Sequence, residues 1–417
     1  MRKDSGFKFP KNFFWGASTS SHQVEGGNHN QWSIWELSHA ASLASSARSK
    51  HNWMPIWDEV RDQAERPQNY VSGRGVDHYR LYKQDFKLLG KLNLNSFRFG
   101  VEWSRLEPEE GVWDNTEWQH YKDYINSLKR HGIEPFMNVW HWTVPVWFEE
   151  KGGFKHRKNL KFFKRFVEKL AYELGGQVKY VFTINEPNVF ASLSYFTGEW
   201  PPQEKNPWSF IKVYYNLTIA HKYCYNAFKK RNKRVQIGVA TQMGNIQARR
   251  KHNVADQVMV KWMRYVWNWW FVNRIRRYQD FVGFNYYFTD YYRGLKSDNP
   301  KAPVNDLGWY MEPEGLYPLL LCVHKRYKLP IYITESGVAD KDDKYRRWWI
   351  EESIVAMERA ISGGVDVRGY FHWSLLDNFE WAYGWWPRFG LVEVDRTTMQ
   401  RKIRPSANWY ADKIKQL

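Results

Sequence analysis

Two glutamates in the 417-residue chain have sequence settings suited to acid–base and nucleophilic chemistry. Glu186 lies in Phe182-Thr-Ile-Asn-Glu-Pro-Asn188, and Glu335 lies in Ile331-Tyr-Ile-Thr-Glu-Ser-Gly337. Cleavage of a glycosidic bond with retention of configuration needs one carboxylic acid to protonate the leaving oxygen and one carboxylate to attack the anomeric carbon. A lone glutamate at a strand end is more often a surface residue, so the elements that position this pair decide its meaning.

The surrounding sequence predicts those elements as alternating strands and helices. Short β-rich runs are each followed by a longer segment of helical periodicity, which is typical of βα units around a parallel sheet. The predicted strands are Phe13–Thr19, Ser96–Trp103, Glu134–Trp140, Tyr180–Asn185, Gln236–Thr241, Asp280–Tyr287, Ile331–Thr334 and Val367–Trp373. The predicted helices are Asp77–Leu92, Glu117–His131, Leu160–Leu174, Trp208–Arg231, Ala255–Arg277, Pro313–Tyr327, Lys344–Ser362 and Ser406–Gln416. We therefore predict one α/β domain over residues 1–417, a (β/α)8 TIM barrel with elaborated βα loops.

Polar and aromatic side chains concentrate where these strands end, which is where barrel enzymes place their chemistry. Seven of the eight predicted ends carry such groups, namely Gln23, Arg98, His141, Trp142, Asn185, Glu186, Asn285, Tyr287, Glu335, Trp373, Glu380 and Trp381. The fifth strand end, near Thr241 and Gln242, is less informative. The polar segment Ala40–Gly75 is too long for a simple connection and is predicted to be an insertion over the barrel mouth.

Composition limits the class of protein. With 43% hydrophobic and 18% aromatic residues, the chain can bury a large core. Cys224 and Cys322 have no metal-type spacing, and no apolar stretch is long enough to cross a bilayer, so we expect a soluble protein in the reducing cytoplasm. The net charge of +18 would attract polyanions, but no nucleic-acid motif accompanies it, and we expect no nucleic-acid partner.

Several sequence blocks, in a fixed order, resemble glycoside hydrolase family 1, the retaining β-glucosidase and β-galactosidase family. The resemblance covers nearly the whole chain. The blocks are Phe13-Phe-Trp-Gly-Ala-Ser-Thr-Ser-Ser-His-Gln-Val-Glu-Gly26, Phe97-Arg-Phe-Gly-Val-Glu-Trp-Ser-Arg105, His141-Trp142, Thr183-Ile-Asn-Glu-Pro187, Gly283-Phe-Asn-Tyr-Tyr287, Ile333-Thr-Glu-Ser-Gly337 and Gly369-Tyr-Phe-His-Trp-Ser-Leu-Leu-Asp-Asn-Phe-Glu-Trp381.

The resemblance implies a role for each candidate residue. Glu186 would be the acid/base and Glu335 the nucleophile of a double displacement through a covalent glycosyl-enzyme. Arg98 and Tyr287 would hold Glu335 ionised, whereas Glu186 would stay protonated beside aromatic surface. Trp373 would be the platform under the sugar, and Trp142 and Trp381 would offer indole N–H donors. The hydroxyl-binding groups would be Gln23, His141, Asn185, Asn285 and Glu380.

The substrates implied are terminal β-D-glucosides, galactosides, fucosides or oligosaccharides. The Glu380 carboxylate would repel a 6-phosphate, so phosphorylated sugars are not expected. No metal or cofactor is expected for catalysis, because retaining hydrolysis needs neither and no phosphate-loop or zinc motif occurs. A catalytically weak carbohydrate-binding barrel and a polyanion-binding protein are the alternatives, and the oligomeric state is left open.

The chain departs from the family pattern at three places. Ser336 stands where Asn is usual and Gly100 where Ser is common, and both could loosen the site and lower turnover. Only Val272–Gln279 joins the block Asn268–Phe271 to the sixth strand, a much shorter connection than the family's. We hypothesise that it exposes a crevice for a flat apolar ligand, a tetrapyrrole being one candidate, or for a partner subunit. The aromatic residues that would line this crevice are Tyr265, Trp267, Trp269 and Trp270. The alternative is that these residues repack into the core.

Overall fold

A closed barrel of eight parallel strands forms the centre of the computed structural model, which describes residues 7–417. The strands are β1 (Phe14–Ser18), β2 (Ser96–Gly100), β3 (Glu134–Trp140), β4 (Tyr180–Asn185), β5 (Gln236–Gln242), β6 (Val282–Tyr286), β7 (Ile331–Ser336) and β8 (Val367–Trp373). Each strand pairs with the next along the chain, and β8 pairs with β1. The predicted TIM barrel is confirmed, while the first six residues of the predicted domain lie outside the described residues.

Helices surround the barrel and cover its mouth. The longer ones are α1 (Gln31–His51), α2 (Trp57–Ala64), α3 (His78–Lys91), α4 (Asn115–Arg130), α5 (Leu160–Glu173), α6 (Pro207–Arg231), α7 (Val254–Arg264), α8 (Trp270–Ile275), α9 (Leu316–Tyr327), α10 (Arg346–Ser362) and α11 (Pro405–Gln416). A π-helical turn, Tyr265–Trp269, joins α7 to α8. Residues at the start of α6 show why this helix begins there. The Asn206 side chain accepts from the backbone N–H groups of the first turn, and Pro207 takes the first helical position, where no N–H donor is needed.

Aromatic rings fill the barrel interior below the strand ends. The rings of Phe136 and Phe371 meet at 4.8 Å, and those of Phe182 and Phe281 at 5.3 Å. Each is almost fully buried, and burial of one such side chain stabilises the fold by about 1.5–3 kcal/mol. The Arg98 guanidinium lies over Phe182 at 5.3 Å. The aromatic layer thus forms an apolar floor beneath the charged groups at the mouth.

Two details differ from the sequence prediction. β2 ends at Gly100 instead of Trp103, because Trp103 begins a short helix, Trp103–Leu106. The predicted insertion at 40–75 does lie at the barrel mouth, where Lys50, His51, Trp53 and Met54 help to line the cavity, but its helices, in α1 and α2, were not predicted. Its serines satisfy their hydroxyl groups on helix carbonyl oxygens, so a Ser-rich sequence is compatible with a helix here.

Candidate active site

The two predicted glutamates face the same cavity, whose volume is about 1050 Å3. Glu186 directly follows β4 in a left-handed conformation (φ 40°), and Glu335 lies near the end of β7. Their exposed fractions are only 6% and 4%. The Asn285 amide donates to Glu186 Oε1 at 2.9 Å, and strand register pairs Asn285 with Glu335. One amide on β6 therefore lies between the two carboxyl groups.

Glu335 is surrounded by donors. Arg98 Nη1 forms an ion pair with Glu335 Oε1, and the Tyr287 hydroxyl donates to Oε2 at 2.8 Å. Arg98 is fully buried, so its charge needs a partner such as this carboxylate. Burial and the neighbouring Glu335 raise the pKa of Tyr287 well above 10, so the phenol stays a donor.

The surroundings raise the pKa values of the two carboxyl groups by different amounts. Burial raises the pKa of Glu186 well above its usual value, and the charge of Glu335 raises it further. Burial also raises the pKa of Glu335, but Arg98 and Tyr287 act in the opposite direction, so the increase is smaller. The structure therefore keeps the predicted order of the two pKa values, although the pKa of Glu335 stays above that of an ordinary glutamate. At neutral pH the arrangement favours a protonated Glu186 beside an ionised Glu335.

Replacing Tyr287 by phenylalanine tests this balance. Tyr287→Phe removes a donor that favours the charged form of Glu335, so the pKa of Glu335 should rise and the acid limb of the kcat/KM profile should move to higher pH. We expect kcat/KM at the optimum to fall about 10²-fold. The matched control is Tyr79→Phe, because the Tyr79 hydroxyl also donates to a glutamate, Glu117 at 2.9 Å, outside the cavity. An acid limb that stays in place in Tyr287→Phe would contradict the role given to Tyr287.

Hydrogen bonds fix the orientation of Asn185 and His141. Asn185 Oδ1 accepts from Arg98 at 2.7 Å and from Asn285 at 3.2 Å, so its Nδ2 is the atom that meets His141 Nε2 at 3.0 Å. His141 Nε2 must then accept, which leaves the proton on Nδ1. Burial and the charge of Arg98 lower the pKa of His141 well below 6.5, so the ring is neutral. His141 Nδ1 is buried without a protein partner, and its predicted contact with a sugar hydroxyl stays a prediction.

Asn185 and Asn285 lie beneath the cavity and are not among its lining residues. Their amide groups are committed to the carboxyl network, and Asn285 Oδ1 also accepts from Thr334. The contribution that the structure supports for both is to hold Glu186, Glu335 and Arg98 in place. Their predicted direct contact with a sugar stays a prediction.

Gln23, Trp373 and Glu380 form a second polar group on the cavity wall. Gln23 Nε2 donates to the Phe379 carbonyl at 2.8 Å and lies 3.4 Å from Glu380 Oε2. Asn378 donates to the same carboxyl oxygen at 3.0 Å. Burial raises the pKa of Glu380 to about 8 even though Asn378 acts against it. Glu380 is therefore largely protonated at neutral pH in the unliganded site, and the simple charge repulsion expected against a 6-phosphate is weakened.

The two predicted indole donors behave differently. The Trp142 indole N–H donates to the Asn185 carbonyl at 2.9 Å, so it is already occupied and is not a free donor for a sugar. Trp142 instead supports the site by packing on Trp381, with ring centroids 4.9 Å apart. Trp381 also stacks on His22 at 5.5 Å, and both tryptophans line the cavity. The prediction for Trp142 is corrected to a packing and backbone-bonding role.

Sequence reasoning missed Glu102, a buried carboxylate that joins three loops. It accepts from Ser21 at 3.2 Å, Ser104 at 2.8 Å and Thr143 at 2.8 Å. These residues follow β1, β2 and β3, and two of the loops carry Gln23 and His141. An acidic residue just after β2, inside the block Phe97–Arg105, was the available signal. Glu102 therefore ties together the loops that carry Gln23 and His141.

The four aromatics proposed for a flat ligand do not converge. Trp267 lines the cavity, whereas Trp270 stacks on Tyr214 at 4.5 Å and Trp269 packs on Tyr327 at 6.2 Å. Tyr265 is 43% exposed. Binding of a flat apolar ligand stays a prediction, with Trp267 as the one member of the four that faces the cavity.

The two substituted positions are both packed. Ser336 is buried, and its hydroxyl accepts from the Trp349 indole at 3.0 Å, which ties the end of β7 to α10. A side chain at Gly100 would approach the Ser21 backbone nitrogen at 3.2 Å, so glycine relieves crowding there.

Residues 7–417 contain no group of three or more His, Cys, Asp or Glu side chains that could hold a metal ion. Across the same residues, every helix lacks the length or the apolar character needed to cross a membrane.

Known proteins share this architecture and sequence. The model of Glycosyl hydrolase family 1 matches residues 6–277 and 272–417. Beta-glucosidase A of Acetivibrio thermocellus is 30% identical over 467 aligned positions, which cover 99% of each chain. The solved beta-glucosidase of Thermotoga maritima in complex with glucoimidazole is 27% identical, covers 98% of this chain and 99% of its own, and superimposes with a TM-score of 0.88. A beta-glycosidase from Pyrococcus horikoshii is 33% identical with a TM-score of 0.85, covering 97% and 94% of the two chains. The chain belongs to glycoside hydrolase family 1 and is a glycoside hydrolase.

Proposed function

We propose that this enzyme is a retaining β-glycosidase that removes terminal, non-phosphorylated glucose, galactose or fucose by double displacement. Glu335 attacks the anomeric carbon while Glu186 protonates the leaving oxygen, and Glu186 then activates the water that releases the sugar. The observation that carries the proposal is that two buried carboxyl groups on one cavity have unequal surroundings. Arg98 and Tyr287 bond directly to Glu335 and not to Glu186.

The position of Asn285 supports retention over inversion. Its amide donates to Glu186 Oε1, and the strand register places Asn285 beside Glu335 on the neighbouring strand, so the same residue is adjacent to both glutamates. Retaining pairs stand about 5–5.5 Å apart, whereas inverting pairs leave room for a water molecule between them. Two glutamates that are both adjacent to one residue of β6 fit the shorter spacing.

The environment of Glu380 supports neutral sugars. Its neighbours Gln23, Asn378 and Trp373 can bond hydroxyl groups, and they bring no positive charge. A buried phosphate dianion there would be unpaired, which is costly whether or not Glu380 carries its own charge. The relatives named for β-glucosidase and β-galactosidase activity support the same substrate class.

A panel of 4-nitrophenyl glycosides tests the proposal. We expect hydrolysis of the β-glucoside, β-galactoside and β-fucoside, little action on the α-glucoside, and at least about 100-fold lower kcat/KM for the 6-phospho-β-glucoside. Catalysis should need no added cofactor, and we place the enzyme in the cytoplasm. Sugar binding without hydrolysis of any member of the panel would instead support a carbohydrate-binding barrel.

A further inference from the structure

The cavity extends well beyond the groups that face the sugar. A drug-sized ligand occupies a pocket of about 300–1,000 Å3, so one hexose leaves much of the 1050 Å3 volume unfilled. One part of the remainder, which we name the apolar arm, is lined by side chains of the α7 segment and of the chain after β6. They are Trp262, Met263, Val266, Trp267, Phe288 and Tyr292.

Hydrogen bonds hold the wall of the apolar arm in place. Asn268 Nδ2 donates to the Gly244 carbonyl at 2.9 Å, and the Gly244 N–H donates to Asn268 Oδ1 at 3.2 Å. The Trp267 indole donates to Gln242 Oε1 at the end of β5. The π-helical turn is therefore fixed to the barrel rim, and the arm is a built part of the cavity.

The apolar arm lies on the side of the acid. The sugar-facing residues come from loops after β1, β3 and β8, whereas Glu186 follows β4, and the arm is built after β5 and β6. Because the acid protonates the leaving oxygen, the leaving group must lie on the side that Glu186 faces. The arm is thus placed to hold the aglycone.

The chemistry of the arm suits an apolar group. Gln242 Oε1 is occupied by Trp267, and the Asp290 carboxyl group accepts from Asn299 at 2.9 Å. A second sugar would lose the hydration of several hydroxyl groups and find few free partners there, which is unfavourable. An alkyl chain or aromatic ring would instead exchange water for aromatic and aliphatic contacts.

We infer that the apolar arm selects β-glycosides of alkyl or aryl alcohols over oligosaccharides. The inference rests on the proposed function, because it names the leaving group that this active site accepts. Each methylene that enters the arm should raise kcat/KM about two- to fourfold, until the arm is filled.

Alkyl β-D-glucosides provide the test, since the alcohols of the series have nearly equal leaving ability and differ in apolar length. The wild-type enzyme should show at least about 30-fold higher kcat/KM for octyl than for ethyl glucoside, measured below the micelle concentration, and should prefer octyl glucoside to cellobiose. Trp262→Ser and Met263→Gln should flatten this dependence on chain length. Trp208→Ser is the matched control, because Trp208 is a tryptophan that is 72% exposed, as Trp262 is 57% exposed, and lies outside the cavity lining.

The outcomes separate the two proposals. Equal kcat/KM for ethyl and octyl glucoside, together with hydrolysis of the nitrophenyl glycosides, would overturn the inference and leave the proposed function standing. Equal slopes in Trp262→Ser and Trp208→Ser would overturn the assignment of the arm. If no glycoside is hydrolysed, the proposed function fails. Calorimetric titration of Glu335→Gln with octyl and ethyl glucoside then tests the inference by itself. Equal affinity for the two glucosides overturns it, and tighter binding of octyl glucoside supports the apolar arm.

Discussion

Replacement of Glu335 by glutamine is expected to lower kcat/KM for 4-nitrophenyl β-glucoside by about 10⁴-fold or more, the scale seen when a covalent nucleophile is removed. The amide keeps the shape of the carboxyl group but cannot attack the anomeric carbon. It also removes a negative charge that raises the pKa of Glu186, so the pKa of the acid should fall. Initial rates from pH 4 to 9 measure both effects.

The same substitution has a cost in stability that must be separated from chemistry. Arg98 is fully buried and loses its charged partner, and such a loss costs about 3–5 kcal/mol. A melting curve should show a lower Tm with a cooperative transition, which establishes that the inactive protein is folded. Glu393→Gln, at an exposed position on a short strand, controls for the exchange itself and should keep full activity. Near-normal turnover in folded Glu335→Gln would exclude Glu335 as the nucleophile.

Replacement of Glu186 by alanine is expected to have an effect that depends on the leaving group. Alkyl glucosides, which need protonation, should lose about 10²–10⁴-fold in kcat/KM. Dinitrophenyl glucoside needs no proton to depart, so its first step should be nearly unchanged while release of the sugar slows. The measurement is kcat/KM across a series of glucosides whose leaving groups differ in pKa. In the variant kcat/KM should depend steeply on that pKa, and in the wild-type enzyme this steep dependence is absent.

Azide then distinguishes the two carboxyl groups. In Glu186→Ala the space left by the side chain admits a small anion that attacks the glycosyl-enzyme without a base, so azide should restore turnover on dinitrophenyl glucoside and yield the β-glycosyl azide. Glu335→Gln should give no β-azide, because no glycosyl-enzyme forms. An identical response of the two variants to azide would contradict the assignment of roles.

The parts of this site that depend on strand position could be predicted from sequence. Glu186 and Glu335 each follow an apolar run whose length and β-branched residues fix a strand, and parallel strands present their carboxyl ends at one edge. Arg98 was within the same reasoning, because a buried charge on one strand needs a partner on another, whereas the role of Tyr287 followed from the family resemblance. The barrel and the pair are therefore encoded locally.

The parts that depend on packing could not be predicted in this way. The Trp142 indole is occupied by the Asn185 carbonyl, a contact set by the left-handed conformation of Trp142 (φ 74°). The pKa of Glu380 follows from burial, which a sequence does not give. The Ser-rich helix α1 has little periodic apolar pattern, so it resembles a polar loop. Each feature arises from tertiary contacts that override local signals.

The stereochemistry of the first-formed sugar tests the account most directly. Proton NMR during hydrolysis of 4-nitrophenyl β-glucoside, followed before mutarotation, distinguishes the two anomers by the signal of the anomeric proton. Attack by Glu335 and then by water inverts the anomeric carbon twice, so the account predicts that β-glucose appears first. Initial release of α-glucose would show a single displacement by water, and Glu335 would then be a base rather than a nucleophile.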